Sequence, residues 1–319
     1  MTGISKEYIV PDPGANKVSK IRKILWKPTK KFLAIDDISF NISEGDAVGL
    51  VGHNGSGKST IVKMLSGILS PTKGVVNVMG FSPIERKNEF LSQIGVMMGQ
   101  RSMLFYDLPI EDSFNFFRKI YDATSDEYRV MVDELIEKIG LNTLLKTPVR
   151  KLSLGQRMKA EIILSIIHKP KVLFLDEPTI GLDFGSKKEI LSFIKTLNQE
   201  YGVIVLLTSH DLDDIDSICN KLILIESGKI QYQGDINKIG SRNEYRLIDV
   251  QGEILEDLKD VLVGIGCRVS EPRSGQLRII AKNEALNACI DILRQFNIDN
   301  VSVNRPNLEF VLSSLNESE

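Results

Sequence analysis

From Phe32 to about Gly240, short apolar, β-branched runs alternate with stretches whose apolar residues recur at helical spacing. That alternation predicts βαβ units around a parallel sheet covered on both faces. Strands are predicted at 47–51, 75–79, 94–98, 172–175, 203–208 and 222–226. Residues 99–171 carry helical periodicity and almost no strand signal, which predicts a helical subdomain inserted into the α/β core. After Gly240 the order becomes strand 245–250, helix 254–264, strands near 267–270 and 276–281, helix 284–295, strand 301–303 and a last helix 307–315. A βαββαβ order of this kind predicts a small α+β, ferredoxin-like domain over 241–319. Residues 1–31 are rich in Lys, Pro and Gly, with Val18, Ile21, Ile24 and Leu25 spaced for one helical face, and are expected to form a basic N-terminal arm. The expected organisation is therefore arm 1–31, α/β domain 32–240 and accessory domain 241–319.

Composition narrows the class without changing that plan. Of 319 residues, 42% are hydrophobic and 26% charged, which excludes wholesale disorder and a chain embedded in the bilayer. No apolar run approaches the ~18–20 residues needed to span a membrane, and the first residues hold no apolar leader core. Any membrane role is thus expected to come through a partner. The formal charge is −2, but residues 1–31 hold eight Lys/Arg against Glu7 and Asp12, leaving the rest of the chain acidic. A nucleic-acid partner is not expected from that balance. The basic arm, with Trp26 among its lysines, suits either anionic lipid headgroups or plain solvation. Cys219, Cys267 and Cys289 have neither CxxC spacing nor a histidine nearby, so no disulfide framework or metal set is expected.

Candidate chemistry begins where the first core strand ends. Gly52-His53-Asn54-Gly55-Ser56-Gly57-Lys58-Ser59-Thr60 follows an apolar strand and opens a helical run, the context that Gly-x4-Gly-Lys-[Ser/Thr] needs to bind phosphate. Glycines let the backbone wrap an anion, while successive N–H groups and the positive helix end cradle it. Lys58 is expected to reach the β- and γ-phosphates, Ser59 to offer its hydroxyl to Mg²⁺, and Thr60 to bond an earlier phosphate. The bland alternative is an accidental glycine-rich turn. A second apolar strand, Val172-Leu173-Phe174-Leu175, ends in Asp176-Glu177, at the strand end where open α/β sheets meet ligand. Asp176 is expected to help hold Mg²⁺ and Glu177 to polarise an attacking water, unless the pair merely starts a loop.

With Leu152-Ser153-Leu154-Gly155-Gln156 added to these two motifs, the chain resembles the ATP-binding cassette (ABC) ATPases. The family's usual Leu-Ser-Gly-Gly-Gln carries Leu154 at its third position here. The resemblance implies a P-loop NTPase fold of the ABC type, with ATP and Mg²⁺ as ligands. It also implies that Ser153, Gly155 and Gln156 contact ATP held by a second copy. Gln100, in Met97-Met98-Gly99-Gln100, matches the glutamine that senses Mg²⁺ and water. Asp183, in Gly181-Leu182-Asp183, matches the loop at the dimer seam, and His210 matches the histidine that touches the γ-phosphate. The family's adenine-stacking aromatic corresponds to Trp26 or Phe32, for which a membrane-facing and a core-packing role respectively stay open.

Within the family it resembles, one phosphate loop, one signature and no sustained heptads point to a separate ATPase subunit. The resemblance further implies a homodimer, with a heterodimer with a second cassette as the alternative, held to the cytoplasmic face of the membrane by permease subunits. Met103–Tyr106 either forms a groove for the permease or packs inside the helical subdomain. The strings GQRSMLFYDLP, KLSLGQRMKAEIILSIIHKP and LDEPTIGLD resemble the ABC-2-type exporter subgroup. A polysaccharide exporter, an importer ATPase with a regulatory C-terminal domain, and a non-transport ABC ATPase remain alternatives.

Overall fold

Buried parallel strands need apolar residues on both faces, and Ala47–Val51, buried at every position, is the first to meet that demand. The computed structural model describes residues 1–11, 29–99, 102–123, 125–239, 244–252, 256–273, 275–296, 298, 300–306 and 308. It divides into two units, Met1–Gln233 and Gly234–Glu319. In chain order the first unit contains β1 (Thr2–Pro11), β2 (Thr29–Ile38), β3 (Ala47–Val51), α1 (Lys58–Leu65), β4 (Lys73–Val75), α2 (Asn88–Leu91) and β5 (Ile94–Met98). There follow α3 (Ile110–Ile120), α4 (Asp126–Lys138), α5 (Leu154–Ile166), β6 (Val172–Asp176), α6 (Phe184–Gln199), β7 (Ile204–Thr208), α7 (Leu212–Ile218), β8 (Lys221–Glu226) and β9 (Lys229–Asp235).

Six strands form the central sheet in the order β5-β6-β7-β3-β8-β9. The pairings from β5 through β8 are all parallel. β8 and β9 are joined by Ser227 and Gly228, both at positive φ (47° and 80°), the backbone of a two-residue hairpin turn. Against the sheet pack Ile61, Val62 and Met64 of α1, in one cluster with Val48, Leu50, Phe174, Leu206 and Ile223. Phe174 is 1% exposed, so its truncation to Ala would cost about 3–5 kcal/mol. The segment between β5 and β6 is built from α3, α4 and α5 with short 3-10 turns and no strand among its described residues, as the periodicity predicts.

Two expectations change. Residues 1–31 do not make a separate arm in their described part: Thr2–Pro11 and Thr29–Ile38 pair antiparallel, and with β4 they form a three-stranded sheet, β2-β1-β4. Ile4, Ile35 and Ile38 point into the main core from this sheet. The basic residues between 12 and 28, with Trp26, lie outside the described residues. The strand expected at 75–79 is also displaced. Lys73–Val75 pairs with β1 rather than joining the parallel sheet, and the chain then turns at Met79 and Gly80, both at positive φ. Asn77 Oδ1 accepts from the Gly80 N–H at 2.9 Å and closes that turn.

The second unit contains β10 (Tyr245–Gln251), α8 (Glu256–Gly264), β11 (Arg268–Arg273), β12 (Gln276–Lys282), α9 (Leu286–Gln295) and β13 (Val301–Asn304). Its sheet order is β11-β12-β10-β13 with every pairing antiparallel, the ferredoxin-like arrangement expected from the element order. Ile248, Val250, Leu277, Ile279 and Ala281 alternate onto one face and pack with Leu258, Leu262, Cys289 and Leu293. Of the expected last helix, 307–315, only Leu308 lies within the described residues.

Candidate nucleotide site

Parallel register brings the chemistry to one edge. Met98, Asp176 and Thr208 are aligned across β5, β6 and β7, and Thr208 is aligned with Leu50 of β3. The loops that begin at Gly52, Gly99, Glu177 and Ser209 therefore leave the carboxyl edge side by side, where open α/β sheets bind ligand.

The loop after β3 is shaped by close approaches that only glycine permits. A Cβ on Gly52 would stand 2.1 Å from the Ile225 carbonyl oxygen. Gly57 caps α1 at φ 113°, in the left-handed region, and contributes no side chain to the helix end. The first-turn N–H groups of α1 thus have no side-chain cap and no acidic neighbour in that turn, which leaves them for an anion. Lys58 is 7% exposed, and its Nζ donates to the carbonyls of Gly52 (2.6 Å) and His53 (3.3 Å). Ser56 Oγ is buried with no hydrogen-bond partner. An ammonium held over its own loop and a spare buried hydroxyl fit a phosphate ligand. His53, Asn54 and Gly55 form the exposed rim, and Thr60 Oγ1 lies 3.4 Å from the Tyr8 hydroxyl of β1.

Asp176 and Glu177 share one organiser. Ser59 Oγ donates to Asp176 Oδ1 at 3.1 Å, and Thr208 Oγ1 donates to the same oxygen at 2.7 Å. The Glu177 N–H in turn donates to Thr208 Oγ1 at 3.0 Å and to the Thr208 carbonyl at 3.2 Å. Glu177 itself sits at φ 55°, a left-handed conformation that costs a non-glycine residue ~1–3 kcal/mol and persists only where neighbours impose it. That backbone carries its carboxylate to His210, whose Nδ1–H donates to Oε2 at 2.9 Å. The imidazole side chain is 60% exposed and the glutamate 20%. Ser59, an oxygen donor beside the Asp176 carboxylate, suits a hard divalent cation such as Mg²⁺.

Thr208 was not singled out by motif reading, although a hydroxyl closing the apolar run Ile204–Thr208 is itself a signal. Thr208→Val keeps the volume and leaves Asp176 one donor short and Glu177 N–H with the carbonyl alone. ATP turnover is expected to fall by about tenfold in a folded protein, read by phosphate release beside a thermal unfolding curve.

A second polar cluster, also beyond the motifs, holds the His210 turn. Asp214 of α7 is 1% exposed, and its Oδ2 accepts from Thr179 Oγ1 (2.6 Å) and Ser209 Oγ (3.4 Å). Lys187 of α6 reaches Asp214 Oδ1 at 2.7 Å and also pairs with Asp211. Burial works against the Lys187 charge, but its hydrogen bonds to Asp211 and Asp214 outweigh it and hold its pKa above the ordinary lysine value.

Other expected residues take local roles. Ser153 caps α5 by accepting from the Gln156 N–H (3.2 Å), while Gln156 Oε1 accepts from the Ser153 N–H (3.0 Å), a reciprocal capping box. Gly155 is buried, and a Cβ there would meet Ser186 Oγ at 2.5 Å. Asp183 caps α6, accepting from the Ser186 N–H and hydroxyl, and those bonds hold its carboxyl below the ordinary range. Among the described residues, none of these four hydrogen-bonds to the phosphate loop. Gln100 lies outside the described residues, though its neighbour Gly99 donates to the Asp176 carbonyl at 3.0 Å. Phe32 stands opposite Tyr8 in the β1–β2 ladder.

The ABC transporter family profile matches residues 35–180. The ABC transporter ATP-binding protein NatA of Bacillus subtilis is 31% identical over 206 residues, covering 65% of this chain and 83% of that protein. The methionine import ATP-binding protein MetN 2 of Shouchella clausii is 30% identical over 223 residues, covering 69% of this chain and 65% of that protein. A solved ATP-binding cassette, dimeric and bound to ADP and Pi in a post-hydrolysis state, matches the fold with a TM-score of 0.59 at 23% identity, over 73% of this chain and 97% of that one. Likeness across most of NatA's length, together with a phosphate loop facing Asp176-Glu177 across one sheet edge, makes this chain a member of the family of ABC transporter ATP-binding proteins.

Proposed function

We propose that this chain hydrolyses ATP as a head-to-tail homodimer and thereby drives export through separate membrane permease subunits. The observation that carries the catalytic part is the bonded set Ser59–Asp176–Thr208–Glu177–His210 beside the glycine loop. On binding ATP, Lys58 exchanges its loop carbonyls for the β- and γ-phosphate oxygens. Glu177 accepts a hydrogen bond from the attacking water and orients it, and His210, turned by Glu177, lies toward the γ-phosphate. Ser59 and Asp176, with Gln100, would hold Mg²⁺, which when bound neutralises charge on the phosphate oxygens. Tyr8, whose hydroxyl meets Thr60, joins Phe32 and Trp26 as a candidate for the adenine face. Ser153, Gly155 and Gln156 serve the partner copy's nucleotide, and Asp183 the seam between copies.

Docking on permeases is supported by Met103, Tyr106 and Leu108, which are exposed at 37%, 60% and 46% in the segment after Gln100. No described helix is long and apolar enough to cross a membrane, so peripheral attachment at the cytoplasmic face through the permease follows from this reading. Export rests on the resemblance of three sequence strings to the ABC-2 subgroup. The likeness to a methionine import protein favours a second reading, an importer ATPase with a regulatory C-terminal domain. The test is ATP turnover by the purified chain, alone, with duplex DNA, and with its co-purified membrane protein in liposomes. Stimulation by the membrane protein alone is expected; stimulation by DNA instead would replace the transport reading. The side of the liposome on which cargo accumulates separates export from import.

The C-terminal domain is read as accessory, since its core holds no histidine and no cluster of catalytic groups among the described residues. Removal of residues 241–319 is expected to leave ATP affinity unchanged in an equilibrium nucleotide titration. Loss of binding by a folded truncation would make the domain part of the site.

A further inference from the structure

Glu161 lies two turns along the helix that Ser153 caps, on a stretch where Met158, Ala160, Ile162, Ile163, Leu164 and Ile166 are buried with it. It is 5% exposed, and burying a carboxylate costs several kcal/mol unless donors replace its water. Arg157, one turn earlier on the same helix, favours its charged form through space. The carboxylate's donors come from the segment that leaves Gln100: the Ser102 hydroxyl bonds Oε1, and the Met103 N–H donates to Oε2 at 3.3 Å. Burial pushes the Glu161 carboxyl up, and the Ser102, Met103 and Leu104 donors pull against it. Ser102 Oγ also accepts from the Leu104 N–H at 3.2 Å, so the carboxylate and one hydroxyl fix three successive residues.

The rest of that segment is pinned as firmly. The Phe105 N–H donates to Ser113 Oγ (2.9 Å), and the Tyr106 and Leu108 carbonyls accept from the Arg150 and Val149 N–H groups (2.9 and 3.0 Å). Leu104 is buried while Met103, Tyr106 and Leu108 face outward. The result is a stiff platform with an apolar outer surface, tied by a buried charge to the helix that begins at the signature residues. An apolar side chain at this position would leave the Ser102 hydroxyl and the Met103 N–H without their acceptor, so the carboxylate is what holds this segment to the helix.

We propose that Glu161 is a positioning residue that makes the 102–104 segment and the signature helix move as one piece. A partner pressing on the platform then displaces Ser153, and a nucleotide drawing in Ser153 displaces the platform. The inference rests on the reading that Ser153 closes on ATP held by a second copy. Small shifts carry across such a link because a packed, bonded element moves as a body rather than deforming.

The test compares wild type, Glu161→Gln and Glu161→Leu in the full chain by three measurements: unfolding midpoint, amide hydrogen exchange at Met103 and Leu104, and kcat and KM for ATP. Both variants are expected to unfold cooperatively, Glu161→Gln near the wild-type midpoint and Glu161→Leu at a lower one, because the Ser102 hydroxyl and the Met103 N–H lose their acceptor. Exchange at the two amides should quicken by about tenfold. kcat should fall by about tenfold with KM for ATP unchanged, less in the Gln variant, which keeps one acceptor oxygen. Unaltered exchange, or faster exchange with wild-type kcat in both variants, overturns the proposal, as does a kcat loss found only in a variant whose midpoint collapses. A wild-type chain without ATP turnover would instead remove the proposed function on which it rests.

Discussion

A chain carrying Glu177→Gln is expected to bind ATP as wild type does and to lose turnover by about a hundredfold or more, the usual worth of a positioned proton acceptor. The amide keeps the size of the carboxylate and its carbonyl oxygen still accepts from His210 Nδ1–H, so the geometry survives. The left-handed backbone survives too, because Thr208 grips the residue 177 N–H, not its side chain. What disappears is the negative charge that, in the proposed mechanism, orients and deprotonates water. Ser59, Asp176 and Lys58 are untouched, so nucleotide affinity stays. Lys58→Ala separates the two functions from the other side. With the buried ammonium gone, ATP binding itself weakens, and turnover falls because little nucleotide is held. Phosphate release and nucleotide titration on both variants decide the matter; wild-type turnover in the Gln variant removes Glu177 from the chemistry.

The parts of this molecule that could be read from sequence are those whose pattern is set locally. β3, β5, β6, β7 and β8 are buried on both faces and so appear as unbroken apolar runs, and the glycine loop declares itself through residue types that only a wrapped backbone requires. The C-terminal domain was legible for a related reason: its strands alternate, as in Gln276–Lys282, where the buried positions are Leu277, Ile279 and Ala281. β1 was not legible, because its residues are mostly half-exposed and include Lys6, Glu7 and Tyr8, so that its strand character depends on pairing with β2 across residues 12–28. The same non-local cause hid Tyr8 as a neighbour of Thr60, and left Phe32 and Trp26 as the visible aromatics.

Within the site, the residues proposed to touch ligand stand in motifs, but the residues that hold them do not. Thr208 and Asp214 matter through register and through a helix packed from elsewhere in the chain, and neither relation is written in sequence spacing. Conversely, Ser153 and Gln156 carry a structural duty that spacing alone makes visible: Ser followed three residues later by Gln is a helix-start signal. One pair thus serves both α5 and, in the proposed dimer, the partner's phosphate, which is why a substitution there needs a test that separates the two duties.

Mixing two inactive variants provides it. Lys58→Ala removes the phosphate ligand from one half of a site, and Ser153→Arg blocks the other half while costing α5 its cap, about 0.5–2 kcal/mol. That loss is affordable for a helix whose inner face is buried from Met158 to Ile166. Each variant alone is expected to be inactive, because a symmetric dimer places the defect in both sites. In a one-to-one mixture half of the dimers pair unlike chains. Each of those has one site built from intact Lys58 of one chain and intact Ser153 of the other, and one site with both defects. Where the sites act independently, turnover should recover to about a quarter of wild type. If Ser153 served the nucleotide of its own chain, every site in the mixture would contain one defect and nothing would recover. Steady-state phosphate release from the mixture, with unfolding curves of both variants as the control for folding, therefore distinguishes a shared site from a self-contained one; no recovery from two folded variants would remove a head-to-tail dimer whose two sites act independently.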